Sequence, residues 1–255
     1  MKRGVIALSG GMDSTCLLIN MLSEAYEEIT AISFDYGQSN KIEINKAVGT
    51  IAYLNARGWN VNHEILDISG LGRLLKSALT GGKELPKGHY KDVEMKATVV
   101  PNRNVIFGSI IYGIAQAIAS ESKEEVDIVL GVQQGEGSLY LDSRPESRDA
   151  CEKAFKISNY DSELVSYKTP YIKFTKAEIL KDLYGSCGCL GFNPIAILKN
   201  TITSYDPDVY GRSSGKSSSD IKRIEAFIQL GIKDPIEYVE GWEETVNYAK
   251  KVLGI

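Results

Sequence analysis

The hexapeptide SGGMDS at residues 9–14 separates a short apolar run from a helix-like stretch. Gly10 and Gly11 let the backbone turn without a Cβ and approach an anion closely, and a helix N-terminus directs free N–H groups at it. Ser9 and Ser14 add hydroxyl donors. Asp13 is the anomaly, because a carboxylate beside a phosphate is repulsive unless it caps the helix or a cation lies between them. Mg²⁺ would resolve that conflict. The glycine pair alone fits an ordinary β-to-α turn equally well. A second candidate, GRSSGKSSSD at 211–220, resembles a Walker loop, but only Arg212, Ser213 and Ser214 separate its first glycine from Gly215-Lys216, and no apolar strand precedes it. A Gly/Ser linker is the plainer reading.

Other chemistries are poorly supplied. The cysteines are Cys16, Cys151, Cys187 and Cys189, and the histidines are His63 and His89, too scattered for a metal cluster or a Ser/His/Asp set. Cys187 and Cys189 read as reduced thiols in a loop. A net charge of −4 argues against wrapping a nucleic-acid backbone, so small molecules or proteins are the expected partners. No run of apolar residues is long enough to span a membrane, and the start MKRGVIALSGG is too short for a signal peptide, which gives the expectation of a cytoplasmic protein.

The elements that must position the hexapeptide follow from periodicity. Strand-like runs at 4–9, 29–37 and 59–69 alternate with helical spacing at 12–26 and 40–58, where Ile42, Val48, Ile51, Ala52 and Leu54 are available for an inner face. An apolar helix at 102–120, strands at 125–132 and 164–171, and a helix from Thr175, whose Glu178 completes a capping box, continue the series. Residues 220–231 form an amphipathic helix. The order predicts an α/β fold, a doubly wound and mostly parallel sheet, with residues 1–190 as the nucleotide-binding part and 191–255 as a helical extension. Residues 80–99 break the pattern as a long loop. Ligands of such sheets sit at the carboxyl ends of the strands, here near 9–14, 34–38 and 131–146.

SGGMDS on a first strand resembles the pyrophosphate loop of the PP-loop ATP pyrophosphatases, which split ATP into AMP and pyrophosphate. FDYGQ at 34–38, SALT at 77–80, VPNRN at 100–104, DSRPE at 142–146 and FTKAEI at 174–179 then occur in the order found in the QueC family, 7-cyano-7-deazaguanine synthases. The resemblance spans nearly the whole chain. It implies an adenine nucleotide alpha hydrolase-like fold, a homodimer, and an enzyme that adenylates the carboxylate of 7-carboxy-7-deazaguanine, forms the amide with ammonia, and dehydrates it to the nitrile in a second adenylation. ATP and Mg²⁺ would be held by Leu8, Ser9, Gly10, Gly11, Met12, Asp13, Ser14, Thr15, Phe34, Asp35 and Lys176. Tyr36, Gln38, Arg103, Asn104, Asp142, Arg144 and Glu146 would hold the deazaguanine, with Asp13, Lys176 and Arg103 catalytic. Asp142 and Glu146 could accept hydrogen bonds from a guanine-like edge, but structural ion pairing explains them and both arginines equally well.

One segment departs from the family. Its members carry four zinc-binding cysteines near the C-terminus, and that pattern falls here on Ser204, Ser214, Ser217 and Asp220, a degenerate site spanning 204–220. Serine hydroxyls are poor zinc ligands, so no zinc is expected. The departure bears on the product. QueC-like proteins are associated with antiphage CBASS operons, and a diverged member could pass the acyl group to a protein amine of an operon partner. Another PP-loop amidating or thiolating enzyme, and a silent nucleotide-binding module, are the remaining readings.

Overall fold

The computed structural model describes residues 1–75, 77–80, 98–133 and 140–255. His89, most of the long loop expected at 80–99 and part of the polar segment after residue 132 lie outside the described residues.

Five strands form one sheet in the order β3-β2-β1-β4-β5, all parallel: β1 (Arg3–Ala7), β2 (Glu28–Asp35), β3 (Val61–Asp67), β4 (Val126–Val129) and β5 (Val165–Lys168). Parallel strands require crossovers, and helices supply them. Alternation along β1 sends Val5 to one face and Ile6 to the other. Ile6 joins a core built with α1 (Met12–Ser23) and α2 (Ile42–Asn55), while Val5 packs with Ile111, Tyr112 and Ala115 on the opposite face. Both faces are covered, as the near-continuous apolar strands require.

Among the described residues the remaining α-helices, in chain order, are α3 (Ser69–Gly72), α4 (Arg103–Ser122), α5 (Pro145–Ser158), α6 (Lys176–Leu190), α7 (Pro194–Lys199), α8 (Ser218–Gln229) and α9 (Trp242–Leu253). Thr175 and Glu178 form the capping box of α6 as expected. Cys187 and Cys189 are not in a loop. They lie in the last turns of α6, where residues 183–190 continue its helical pattern, with Cys187 buried and Cys189 exposed. The inner face of α2 also differs, because Ala47, Thr50, Ile51 and Leu54 are its buried residues while Val48 and Ala52 face outward. Counting back from Ile51 and Leu54 in helical steps selects Ala47, and Val48 falls one residue off the stripe.

The C-terminal extension shares the main core, since Ile197, Leu198, Ala226 and Phe227 pack in the same cluster as Leu17 and Leu180. Within it Arg223, fully buried on α8, donates to Asp234 through Nε at 2.6 Å and Nη2 at 3.0 Å, and to the hydroxyls of Thr201 and Thr203. Those threonines belong to the segment that leads back to the ligand crevice. The sheet order reverses between β1 and β4, and a doubly wound sheet opens its crevice at that point.

Candidate active site

A cavity of about 330 Å³ opens at the carboxyl ends of β1, β2 and β4. The turn after β1 forms its floor. Gly10 has φ +79°, and a Cβ there would stand 2.0 Å from the Glu43 carbonyl oxygen, so no other residue fits. Ile202 N–H donates to Gly10 O at 3.1 Å, which pins the turn to the C-terminal segment. Ser14 Oγ accepts from Ser9 N at 3.1 Å and lies 3.0 Å from Ser9 Oγ. Gly11 is the N-cap of α1 and offers no side-chain cap, so the first N–H groups of that helix are left for an anion.

Two helix N-termini meet at this floor. Lys176, the first residue of α6, places Nζ 2.6 and 2.9 Å from the two carboxylate oxygens of Asp13, in the first turn of α1. The capping box fixes the start of α6 and so the root of the lysine. Positive charge from the lysine and from both helix ends converges here, which suits a polyphosphate. Asp13 remains partly exposed, and its carboxylate is a hard oxygen donor of the kind that suits Mg²⁺.

An aromatic wall rises from β2. Phe34 and Phe107 stack with ring centroids 4.1 Å apart and planes 6° from parallel, and Tyr36 tilts against Phe107 at 5.5 Å. Gln38 locks the turn that carries Tyr36 by accepting from Tyr36 N at 2.9 Å and donating to Phe34 O at 3.1 Å. Arg103 opens α4, and its charge acts on the Tyr36 hydroxyl. Burial works against the Arg103 charge, but Tyr36, Tyr205 and Asp142 outweigh it and its pKa is raised. Glu43 lies on the same wall, and burial pushes its carboxyl up to about 7 against the opposing pull of Arg103.

The expected site residues divide by position. Leu8, Ser9, Gly11, Met12, Asp13, Ser14, Phe34, Tyr36, Gln38, Arg103, Asn104 and Lys176 line the cavity. Gly10 shapes the floor from beneath, and Thr15 is wholly buried in α1 behind it. Asp35 faces away, bonded to Lys41 Nζ at 2.8 Å and Gly37 N at 3.1 Å. Of the DSRPE segment, the wall receives Ser143, while Asp142 accepts from Asn104 N at 3.0 Å and positions it. Arg144 and Glu146 begin α5, away from the wall. Sequence reasoning missed Glu43, Ser33, Tyr205, Thr203 and Lys222. Glu43 could have been found from its position just after the carboxyl end of β2, the place where crevice residues gather.

The four positions of the degenerate zinc site converge. Asp220 Oδ2 accepts from the hydroxyls of Ser204 at 3.0 Å, Ser214 at 3.1 Å and Ser217 at 2.7 Å, and Oδ1 accepts from Ser213 at 2.6 Å. Asp220 is fully buried. The Ser204 and Ser214 hydroxyls also reach a second carboxylate, Asp206 Oδ1, at 3.2 and 2.8 Å. Neutral hydroxyls already bonded to these carboxylates are poor zinc ligands beside thiolate or imidazole. Ser217 and Asp220 also form the capping box of α8, whose Ser218, Ser219 and Lys222 reach the cavity. The stretch at 211–220 is therefore neither Walker loop nor linker. It is a hydrogen-bonded corner that holds one wall of the site.

A family model described as "Queuosine biosynthesis protein QueC" matches residues 3–231. The 7-cyano-7-deazaguanine synthase of Marinomonas sp. (strain MWYL1) is 35% identical over 240 residues, covering 93% of this chain and 98% of that protein. The protein of the same name from Caldicellulosiruptor saccharolyticus is 35% identical over 237 residues, covering 92% and 95%. Among solved structures, an NMN synthetase from Francisella tularensis aligns with a TM-score of 0.43 at 14% identity, covering 98% of this chain and 84% of that one.

Proposed function

The chain belongs to the QueC family, ATP-dependent enzymes of the PP-loop type, and on that premise we propose that it adenylates the carboxylate of 7-carboxy-7-deazaguanine and passes the acyl group to a nitrogen nucleophile. The observation that carries this reading is the Lys176–Asp13 pair, set where two helix N-termini meet at the floor of the switch-point cavity.

A carboxylate is a poor electrophile because its leaving group would be oxide. In the first step a carboxylate oxygen bonds to the α-phosphorus of ATP, the bond from that phosphorus to the bridging oxygen breaks, and pyrophosphate leaves. Lys176, turned from Asp13 toward the departing phosphates, stabilises the developing charge together with the free N–H groups of α1. Asp13 would hold Mg²⁺, which would supply further screening of the phosphate charge. In the second step the nitrogen attacks the acyl carbon, AMP leaves with the bonding pair, and the nitrogen loses a proton. Phe34, Tyr36 and Phe107 offer flat apolar surface to a base, and Arg103 offers a cation to the substrate carboxylate. With ammonia the product is the amide, and adenylation of its oxygen followed by loss of AMP and two protons gives the nitrile.

A protein amine is the second acceptor considered. It is favoured by the wall formed from Thr203, Tyr205, Ser218, Ser219 and Lys222, which comes from the segment where serines and an aspartate stand in place of the family cysteines. Mass spectrometry of reactions containing ATP, Mg²⁺ and 7-carboxy-7-deazaguanine, with ammonia or with a candidate protein from the same operon, separates the two acceptors. Absence of pyrophosphate release with the deazaguanine acid would overturn both.

A further inference from the structure

Among the described residues, two carboxylates line the cavity, Asp13 and Glu43. Asp13 is engaged by Lys176. Glu43 receives no hydrogen bond from any described residue, and Arg103 acts on it only at longer range. Its backbone is nonetheless tightly held. The Glu43 carbonyl lies against Gly10, and the start of α2 is fixed by Asn40, whose Oδ1 accepts from Ile42 N at 3.1 Å while its Nδ2 donates to Ser204 O at 2.9 Å. The groups facing Glu43 are Arg103 at the start of α4, Tyr36 after β2, and Tyr205 from the C-terminal segment. Glu43 is half-buried, and an unpaired, partly desolvated carboxylate on a rigid support is costly unless a ligand brings donors to it.

The ligand's chemistry narrows what those donors are. Phosphates offer acceptors, which a carboxylate repels. A guanine-type base offers its N1–H and 2-amino hydrogens side by side, the spacing that a carboxylate accepts in a bidentate pair. The aromatic wall of Phe34, Tyr36 and Phe107 lines the same cavity and can take the flat face of such a base. Asp142 and Glu146, the residues expected from sequence to read this edge, are off the wall. We propose that Glu43 is the specificity residue of the cavity, accepting the N1–H and 2-amino hydrogens of the deazaguanine substrate. This assignment rests on the adenylating function above.

The test is steady-state pyrophosphate release by wild type, Glu43→Gln and Glu43→Asp, with 7-carboxy-7-deazaguanine and with its analogue lacking the 2-amino group. With the parent acid, Glu43→Gln should raise KM on the order of 10- to 100-fold and leave kcat within several-fold, because a charged acceptor for two donors is lost. The aspartate variant should recover part of that loss. Wild type should handle the analogue about as poorly as the glutamine variant handles the parent, and on the analogue Glu43→Gln should cost no more than about threefold further. Equal losses on both substrates, or a fall in kcat with KM unchanged, would overturn the assignment while leaving the function in place. No pyrophosphate release by wild type with the parent acid would remove the function and the assignment together.

Discussion

Ser204 and Asp220, 16 residues apart in the chain, are joined by a buried hydrogen bond of 3.0 Å in which the serine hydroxyl donates to the carboxylate. Ser213, Ser214 and Ser217 donate to the same carboxylate. Burial raises the Asp220 pKa and the donated hydrogen bonds pull it back, leaving it above its ordinary value. The carboxylate thus gathers the segments that carry Ser204 and residues 213–217 through its acceptor lone pairs.

Asp220→Ala should therefore destabilise the protein by about 2–3 kcal/mol, since it strands the buried Ser213 hydroxyl and opens the capping box of α8, whereas Ser204 and Ser214 keep Asp206 as acceptor. Urea denaturation monitored by circular dichroism measures this. A loss under about 1 kcal/mol would mean that the serines find other partners and that Asp220 is dispensable.

The same corner makes a metal prediction. Purified protein should contain no stoichiometric zinc, and EDTA should leave its Tm unchanged, because its hydroxyl donors do not match zinc. Replacing Ser204, Ser214, Ser217 and Asp220 together with cysteine should create zinc binding, since the four side chains already converge. Elemental analysis of both proteins decides the matter, and zinc retained by the unaltered chain would refute this account of the corner.

The sheet and most helices were legible because apolar periodicity reports which face of each element is buried. β1, α1 and the capping box of α6 needed no tertiary information. Side chains whose role depends on partners distant in sequence were not legible. Arg223 looks like one more charge on an amphipathic helix until Asp234 and the two threonines are brought to it. Glu43 reads as a solvated charge within NKIEINK, because nothing local shows that Gly10 and Arg103 enclose it. The degenerate zinc positions show the reverse case. Their spacing alone, laid on a family pattern, named four residues that the fold does bring together.

Lys176→Ala should lower kcat for pyrophosphate release by about 10²–10³-fold, the usual cost of removing a donor aimed at developing negative charge. Thermal stability should fall as well, because the side chains of the pair are only 13% and 22% exposed and the variant leaves the Asp13 carboxylate without its partner. ATP–pyrophosphate exchange measures the first step without the second. Near-normal exchange in this variant would remove Lys176 from the leaving-group role.

Gly10→Ala should lower exchange about 10²-fold or more through geometry. The residue sits at φ +79°, and its new Cβ would meet the Glu43 carbonyl oxygen at 2.0 Å, so the floor of the cavity or the start of α2 must move. Shifts of about 1 Å at such a position cost about 10²-fold in rate. Gly11→Ala is the control, because its nearest contact would be the Ser9 hydroxyl at 3.1 Å and its φ is negative. Equal activity of the two variants would show that the Gly10 contact does not set the floor.

Glu43 carries a stability cost whose pH dependence is fixed by its raised pKa. Burial lifts the carboxyl from 4.5 to about 7 in the fold, so between those values the folded chain binds more protons than the unfolded one. Stability attributable to this residue is present below pH 4.5 and is lost as pH rises toward 7. Glu43→Gln removes the charge and keeps the shape. The variant should match wild type near pH 4.5, then become the more stable protein as pH rises, by at most about 3 kcal/mol at pH 8 and less where solvent reaches the carboxyl. Arg103, Tyr36 and Tyr205 face the same space, and each stays in its present charge state up to pH 8, so the difference curve belongs to Glu43. Urea unfolding of both proteins at half-unit pH steps traces it. A flat difference curve would show that Glu43 is solvated in the empty cavity, whereas a rise between pH 4.5 and 7 identifies a carboxylate held ready for a ligand at the expense of the fold.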